Sequence, residues 1–317
     1  MSKNIVVAMA SIILLMSSVS MAAEVINESR DVSANERIYI KNMRGNVEII
    51  AHDQLTFEVR GELDAAAEGF TLDSDDGFTS FEVLMPQQVS SNRNQAGSTL
   101  TIRVPVQADV RFEGVNANVR ARGIEGGTRI NTVNGAVHAT NLSHQVSLKT
   151  VNGNIRSEDN SGRIEIGTVN GGIEDTNSSG RVAYQTINGK IEVQSQAEEV
   201  SVSTVSGGVR LDLPEADDIT VNSVSGAAEL TLGASSPRLQ AQSVSGRLTF
   251  NMSASADARF SVDTSAGGKI DNQLSDDQAE RGRYGPAQGL RFSLGEGQGR
   301  VDVRSVSGTI ELKSRND

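Results

Sequence analysis

The chain is 317 residues long, carries a net charge of −11 and contains neither cysteine nor tryptophan. That balance argues against nucleic acid or an anionic membrane as the main partner, because phosphate-rich surfaces need a basic footprint. Without cysteine there is no disulfide and no thiol for lipid attachment, so backbone ladders and core packing must hold the fold.

Residues 1–23 read as a secretory signal. Lys3 supplies the positive start, Ile5 to Met16 form a short apolar core, and Ser20-Met21-Ala22-Ala23 offers small residues for cleavage after Ala22 or Ala23. The apolar run is too short to span a bilayer comfortably, and no later stretch is apolar enough to do so. The mature chain is therefore expected in the periplasm, secreted or at the cell surface, with no membrane span.

Residues 24–110 are expected to form a less regular β region that caps a solenoid. Arg37-Ile38-Tyr39-Ile40-Lys41, Asn46-Val47-Glu48-Ile49-Ile50 and Leu55-Thr56-Phe57-Glu58-Val59-Arg60 alternate as strands do. Asp73-Ser74-Asp75-Asp76-Gly77 has the composition of a calcium loop. Its spacing is wrong for an EF-hand and no glutamate takes the twelfth position, which leaves a solvated acidic turn. Gln87 to Ser98 is a polar loop, and Leu100-Thr101-Ile102-Arg103-Val104-Pro105 is a strand leading into the array of residues 111–317.

That array repeats. Thr132-Val133-Asn134-Gly135 returns as Thr150-Val151-Asn152-Gly153, Thr168-Val169-Asn170-Gly171 and Thr186-Ile187-Asn188-Gly189. Altered copies stand at Thr204-Val205-Ser206-Gly207, Ser223-Val224-Ser225-Gly226, Ser243-Val244-Ser245-Gly246 and Ser305-Val306-Ser307-Gly308. Gly135, Gly153, Gly171, Gly189 and Gly207 are eighteen residues apart, and the next gaps are nineteen and twenty. A fixed short period marks a repeat architecture. Within Asn154 to Gly171 the apolar set is Ile155, Ile164, Ile166 and Val169. The same columns hold Val137, Val146, Leu148 and Val151 one repeat earlier, and Ile173, Val182, Tyr184 and Ile187 one repeat later. A second glycine column holds Gly126, Gly162 and Gly180, so each repeat has two short strands and two turns.

An antiparallel meander and a parallel β-solenoid both satisfy this polarity, since Asn-Gly is a strong hairpin signal. Identity of whole columns favours the solenoid, all-β with coils of roughly 18 residues, because asparagines stacked about 4.8 Å apart bond amide to amide. Asn134 with Gly135, Asn152 with Gly153, Asn170 with Gly171 and Asn188 with Gly189 are the expected turn ladder, with positive φ at a tight corner. The coils lengthen where Val209, Leu211 and Leu213 give way to Leu230 and Leu232, then to Leu248, Phe250 and Met252. Residues 271–289 read as an excursion, after which the array resumes at Leu290. About nine to eleven coils give a rod about 50 Å long.

One outward column, Arg120, His138, Arg156, Glu174 and Glu192, changes from basic to acidic. It is a candidate interaction stripe; the plainer reading is charge that keeps the surface soluble. His52, His138 and His144 show no metal spacing. No nucleophile elbow appears, nor a phosphate-binding glycine loop before a helix, and no cofactor or metal is expected. Glu174 and Glu192 are placed for two-carboxylate glycan chemistry. Sugar sites usually need aromatic platforms, however, and eight phenylalanines and three tyrosines are few for this length. If the valine of each Thr-Val-Asn points inward, the flanking threonine and asparagine form an outward hydroxyl–amide array of the kind that can bind ice.

At Leu100 to Pro105, at the Thr-Val-Asn-Gly turns, at Gly295-Glu296-Gly297, and from Arg300-Val301-Asp302-Val303 to Ser307-Gly308-Thr309-Ile310, the chain resembles a known bacterial family. These are the "putative adhesin" β-strand-repeat proteins, domain-of-unknown-function family 4097, related to toastrack domains. The resemblance runs from about residue 36 to residue 312. It implies an extracytoplasmic β-solenoid with adhesin-like or envelope-associated roles, and it brings no catalytic residue with it. The expected function is a non-enzymatic surface that binds a protein or glycan of the cell envelope. The alternatives are an accessory of envelope-stress signalling that contacts a membrane partner, and a glycan-active β-helix enzyme.

Overall fold

Runs of alternating apolar and polar residues, separated by corners bearing glycine or asparagine, wind this chain into a two-faced rod. The computed structural model describes residues 24–86 and 97–315, and every regular element among them is a strand. The expected signal segment and residues 87–96 of the polar loop lie outside the described residues. Each coil gives one strand to a front sheet of fourteen strands and one to a back sheet of fifteen. On the front, Val137 lies beside Ile155, then Ile173, then Ile191. On the back, Val146 lies beside Ile164, then Val182, then Val200. Neighbouring strands are parallel and in register, which makes the fold a β-solenoid and excludes the meander.

Two strands per coil place 24 of the 29 strands among the described residues in twelve coils, and the other five run antiparallel at the ends. Stacked about 4.8 Å apart, twelve coils span about 50 Å. The count exceeds the expected nine to eleven because two full coils lie upstream of the regular repeat. Arg37–Lys41 with Arg44–His52 makes one, and Phe78–Leu84 with Ser98–Pro105 makes the other. Their connecting loops differ in length, so an eighteen-residue period does not reveal them.

Neither end keeps to chain order. The 78–105 coil lies outside the 37–52 coil. Thr56–Glu62 and Val25–Asp31 finish the front edge there, and Gly69–Asp75 finishes the back edge, all antiparallel. Asp76 and Gly77, with φ of 46° and 75°, turn the last of these hairpins, so the acidic run ends a strand in a primed turn. At the other end the 299–314 coil is slotted between the 238–252 and 258–272 coils. Gln288–Leu294 then covers the back edge in antiparallel pairing with Ala258–Thr264. The last coil in sequence is therefore not the exposed end that the array alone suggests.

Inward residues form one continuous apolar cluster from Ile26 to Leu312. Front strands near the ends supply three inward side chains, such as Leu100, Ile102 and Val104, or Leu248, Phe250 and Met252. In the middle they supply two, and the rod narrows to a waist: Ile155 and Ser157, then Ile173 and Asp175. The back corner of the waist needs left-handed backbone, with φ of 53°, 54° and 61° at Asn141, Asp159 and Asn177.

The core of the waist is polar. Asp175 is buried and accepts from Tyr184 OH at 2.6 Å and from Ser178 Oγ at 2.7 Å. Asn160 Nδ2 donates to Ser157 Oγ at 2.8 Å, and Asn160 Oδ1 takes the Leu142 N–H at 2.7 Å. Burial pushes the Asp175 carboxyl above the usual range, and hydrogen bonds from Ser157, Ser178 and Tyr184 only partly offset it. Burial, and then the neighbouring Asp175, raise the Tyr184 hydroxyl well above its ordinary value.

Candidate functional site

The repeated corner sets what each face displays. Strand alternation runs through Ile164, Ile166 and Thr168, so the threonine takes the next inward place. Thr168 Oγ1 donates to Gly153 O at 3.1 Å and accepts from Gly171 N at 3.1 Å. Thr150 repeats both bonds at 3.0 and 3.2 Å. This corrects the expectation that Val151, Val169 and Ile187 face the core. They point outward, and Val133, Val151, Ile187, Val205, Val224 and Val244 stand 36–47% exposed as an aliphatic ridge along the corner. The expected hydroxyl–amide array loses its threonines to the core for the same reason.

The asparagine ladder forms beside this ridge. Asn188 donates to Asn170 at 2.9 Å, Asn170 to Asn152 at 2.8 Å, and Asn152 to Asn134 at 2.7 Å. Asn134 continues the ladder by donating to Asn116 at 2.7 Å. Gly135, Gly153, Gly171 and Gly189 do not have the positive φ expected of them. Close approach is what fixes them: a Cβ on Gly171 would lie 1.7 Å from Gly153 O, and one on Gly189 would lie 1.7 Å from Gly171 O.

The stripe residues Arg120, His138, Arg156, Glu174 and Glu192 are in-register neighbours on the outer front face. A groove of about 700 Å³ runs over them and reaches Thr101 and Glu48. Along one side it is lined by Asn46, Asn118, Ala136, Asn154 and Gly172, a column that sequence reasoning passed over because it shows no repeated charge. That side is tied down. Asn118 Nδ2 donates to Asn46 Oδ1 at 3.1 Å, and the Asn118 and Asn154 side-chain oxygens accept the N–H groups of Ala136 and Gly172 at 3.0 and 2.8 Å.

Charge in the groove is unevenly answered. Arg156 lies 2.5 Å from Glu158 and 3.6 Å from Glu174, and its hydrogen bond holds the Glu158 carboxyl below the usual range. Lys190 holds Glu192 at 2.5 Å. The candidate carboxylate pair, Glu174 and Glu192, is thus turned toward two separate cations. His138 Nε2 stands 3.6 Å from Glu158. Arg120 is exposed and makes no ion pair or side-chain hydrogen bond among the described residues. Such a groove can hold an extended ligand by lateral polar contacts along seven coils.

These features define an end-capped parallel β-solenoid whose outer faces carry ordered columns of side chains. The chain belongs to the Toastrack DUF4097 family, which matches residues 33–313. Among solved structures it is similar to a "putative adhesin" from Parabacteroides merdae ATCC 43184, with 9% identity, a TM-score of 0.48, and coverage of 91% of this chain and 96% of that one. A "putative adhesin" from Bacteroides fragilis NCTC 9343 gives 10% identity and a TM-score of 0.36, with 92% and 98% covered. A "putative cell adhesion protein" from Clostridium sporogenes ATCC 15579 gives 11% identity and a TM-score of 0.23, with 92% and 100% covered. No curated protein matches the chain.

Proposed function

We propose that this Toastrack protein is a non-enzymatic, extracytoplasmic binding protein of the adhesin type, taking an extended glycan or protein segment of the cell envelope along its front groove. The observation that carries the reading is the groove itself, continuous over seven coils, with Arg120 uncommitted in its basic half. Binding is favoured over reaction because Glu174 and Glu192 face Arg156 and Lys190, whereas glycan hydrolysis needs two carboxylates directed at one bond. The signal-like residues 1–23 support the location.

The aliphatic ridge favours a second reading, an accessory of envelope-stress signalling that contacts a membrane protein, since contiguous exposed apolar surface marks protein contacts. Capture from envelope extracts on immobilised residues 24–317, with bound glycans and proteins identified by mass spectrometry, tests both. The expected result is a retained species lost from an Arg120→Glu/His138→Glu variant and kept by a Val151→Ser/Val205→Ser variant. The reverse pattern establishes the second reading. Equal retention by parent and both variants removes the groove and the ridge from the account.

A further inference from the structure

At the C-terminal end of the back sheet, Arg238, Arg300 and Arg259 are in-register neighbours on three adjacent parallel strands. Strands in a sheet lie about 4.8 Å apart, and like charges directly opposite one another repel. Farther up the same row, acid answers base. Arg163 and Arg181 are followed by Glu199 and Asp218, and Arg181 is bonded to Glu199. The arginine row has less compensation. Arg300 is held by Asp302 at 2.5 Å, and Asp218 is the cross-strand neighbour of Arg238. The Arg238 and Arg259 side chains make no ion pair or hydrogen bond among the described residues. Arg291, the next guanidinium toward the end of the rod, is occupied by Asp263 at 2.8 Å. A depression of about 590 Å³ is lined by Arg259, Arg300, Arg291 and Asp302, with the neutral groups of Ser261, Ser293 and Gln298 between them. In a chain of net charge −11 this is a local reversal of sign.

We infer that this depression binds a phosphate group, held between the guanidinium forks of Arg259 and Arg300 with Arg238 behind them. Arg238, Arg259 and Arg300 stand against the carboxylates of Asp302 and Asp218, which leaves an excess of one positive charge and no acid on Arg259. A phosphate group presents three acceptor oxygens, enough to engage both forks at once, whereas a carboxylate presents two. The planar fork of arginine also matches phosphate oxygens two at a time. The site lies on the opposite sheet from the front groove, so it stands or falls independently of the adhesin reading.

The test uses residues 24–317 and tripolyphosphate as probe, read by calorimetry and by the shift of the thermal midpoint at low salt. Binding is expected, weakened about tenfold or more by Arg259→Gln or Arg300→Gln and unchanged by Arg30→Gln on the edge strand at the opposite end of the rod. Without anion, Arg259→Gln should melt no lower than the parent, which separates lost binding from lost fold. Phosphatidic acid and phosphatidylcholine vesicles distinguish the source. Retention on the former alone makes the phosphate a lipid headgroup, and binding of soluble polyphosphate without vesicle retention makes it a free or glycan-borne phosphate. Equal binding of polygalacturonate overturns the assignment to phosphate. Absence of binding, or binding undiminished in an Arg259→Gln/Arg300→Gln double variant, overturns the site.

Discussion

Gly171 is kept to a hydrogen side chain by the coil behind it, whose Gly153 carbonyl lies where a methyl group would go. Overpacking of this kind costs about 1–3 kcal/mol, so Gly171→Ala should melt well below the parent. At Gly172 the nearest atom to an added Cβ is 3.6 Å away, and Gly172→Ala should change stability by about 0.5 kcal/mol or less. Equal melting temperatures for the two variants would sink the close-approach account. The corner threonine gives a second contrast. Thr168→Val strips partners from Gly153 O and Gly171 N and should cost about 1–3 kcal/mol, whereas Ile187→Thr, on the exposed ridge, should be nearly neutral by the same denaturation measurement. The identities of these residues were plain in the repeat, but two of their reasons were not. Counting by twos from Ile164 reaches Thr168 and assigns the valine to solvent, a signal that was present in the sequence. The approach of one carbonyl to the next glycine has no such signal, because it depends on how closely two coils seat at the corner.

Within single coils, the waist is where polarity enters the core. Ser157 and Asp175 occupy a column that is Ala139 in the coil before and Val193 in the coil after. Burial raises the Asp175 carboxyl in the folded state, so the folded chain keeps that proton to higher pH than the unfolded chain, whose aspartate titrates near about 3.9. The favourable contribution is therefore complete below that value and is lost as pH rises through the folded one. Asp175→Asn removes the titration. Its stability relative to the parent should increase as pH rises above about 3.9 in paired urea denaturations; a constant difference would contradict a raised folded pKa. The outward stripe was legible as a column because its charges recur at the repeat period. The groove around it was not, because Asn118, Ala136 and Gly172 share no chemistry that a sequence count would pick out.

For the whole rod, stability is a sum over coils and their interfaces. Removing 208–226 takes out one complete coil and should leave a cooperative protein shortened by about 5 Å in solution scattering. Removing 218–226 alone deletes a back strand without its front partner and should abolish the single transition. If both deletions unfold equally, the coil is not the cooperative unit. Removing 154–171 should cost more than removing 208–226, because it also takes away Ser157, which bonds Asp175, and Asn160, which bonds Ser157. The regular coils were readable from period alone. The two coils before them and the reversed order at both ends were not, since they depend on strands that meet only after long detours.

That reversed order has a bearing on time as well as shape. Coils between residues 109 and 252 can be laid down one after another as the chain emerges, each on the coil before it. The 258–272 coil cannot join the stack in its turn, because the strands it rests on belong to residues 299–314. Until those residues arrive it has no seat, and the advancing tip of the rod stays open. Closure of the far end thus waits for residues 299–314, and a ribosome that stops before them leaves a rod with a live edge.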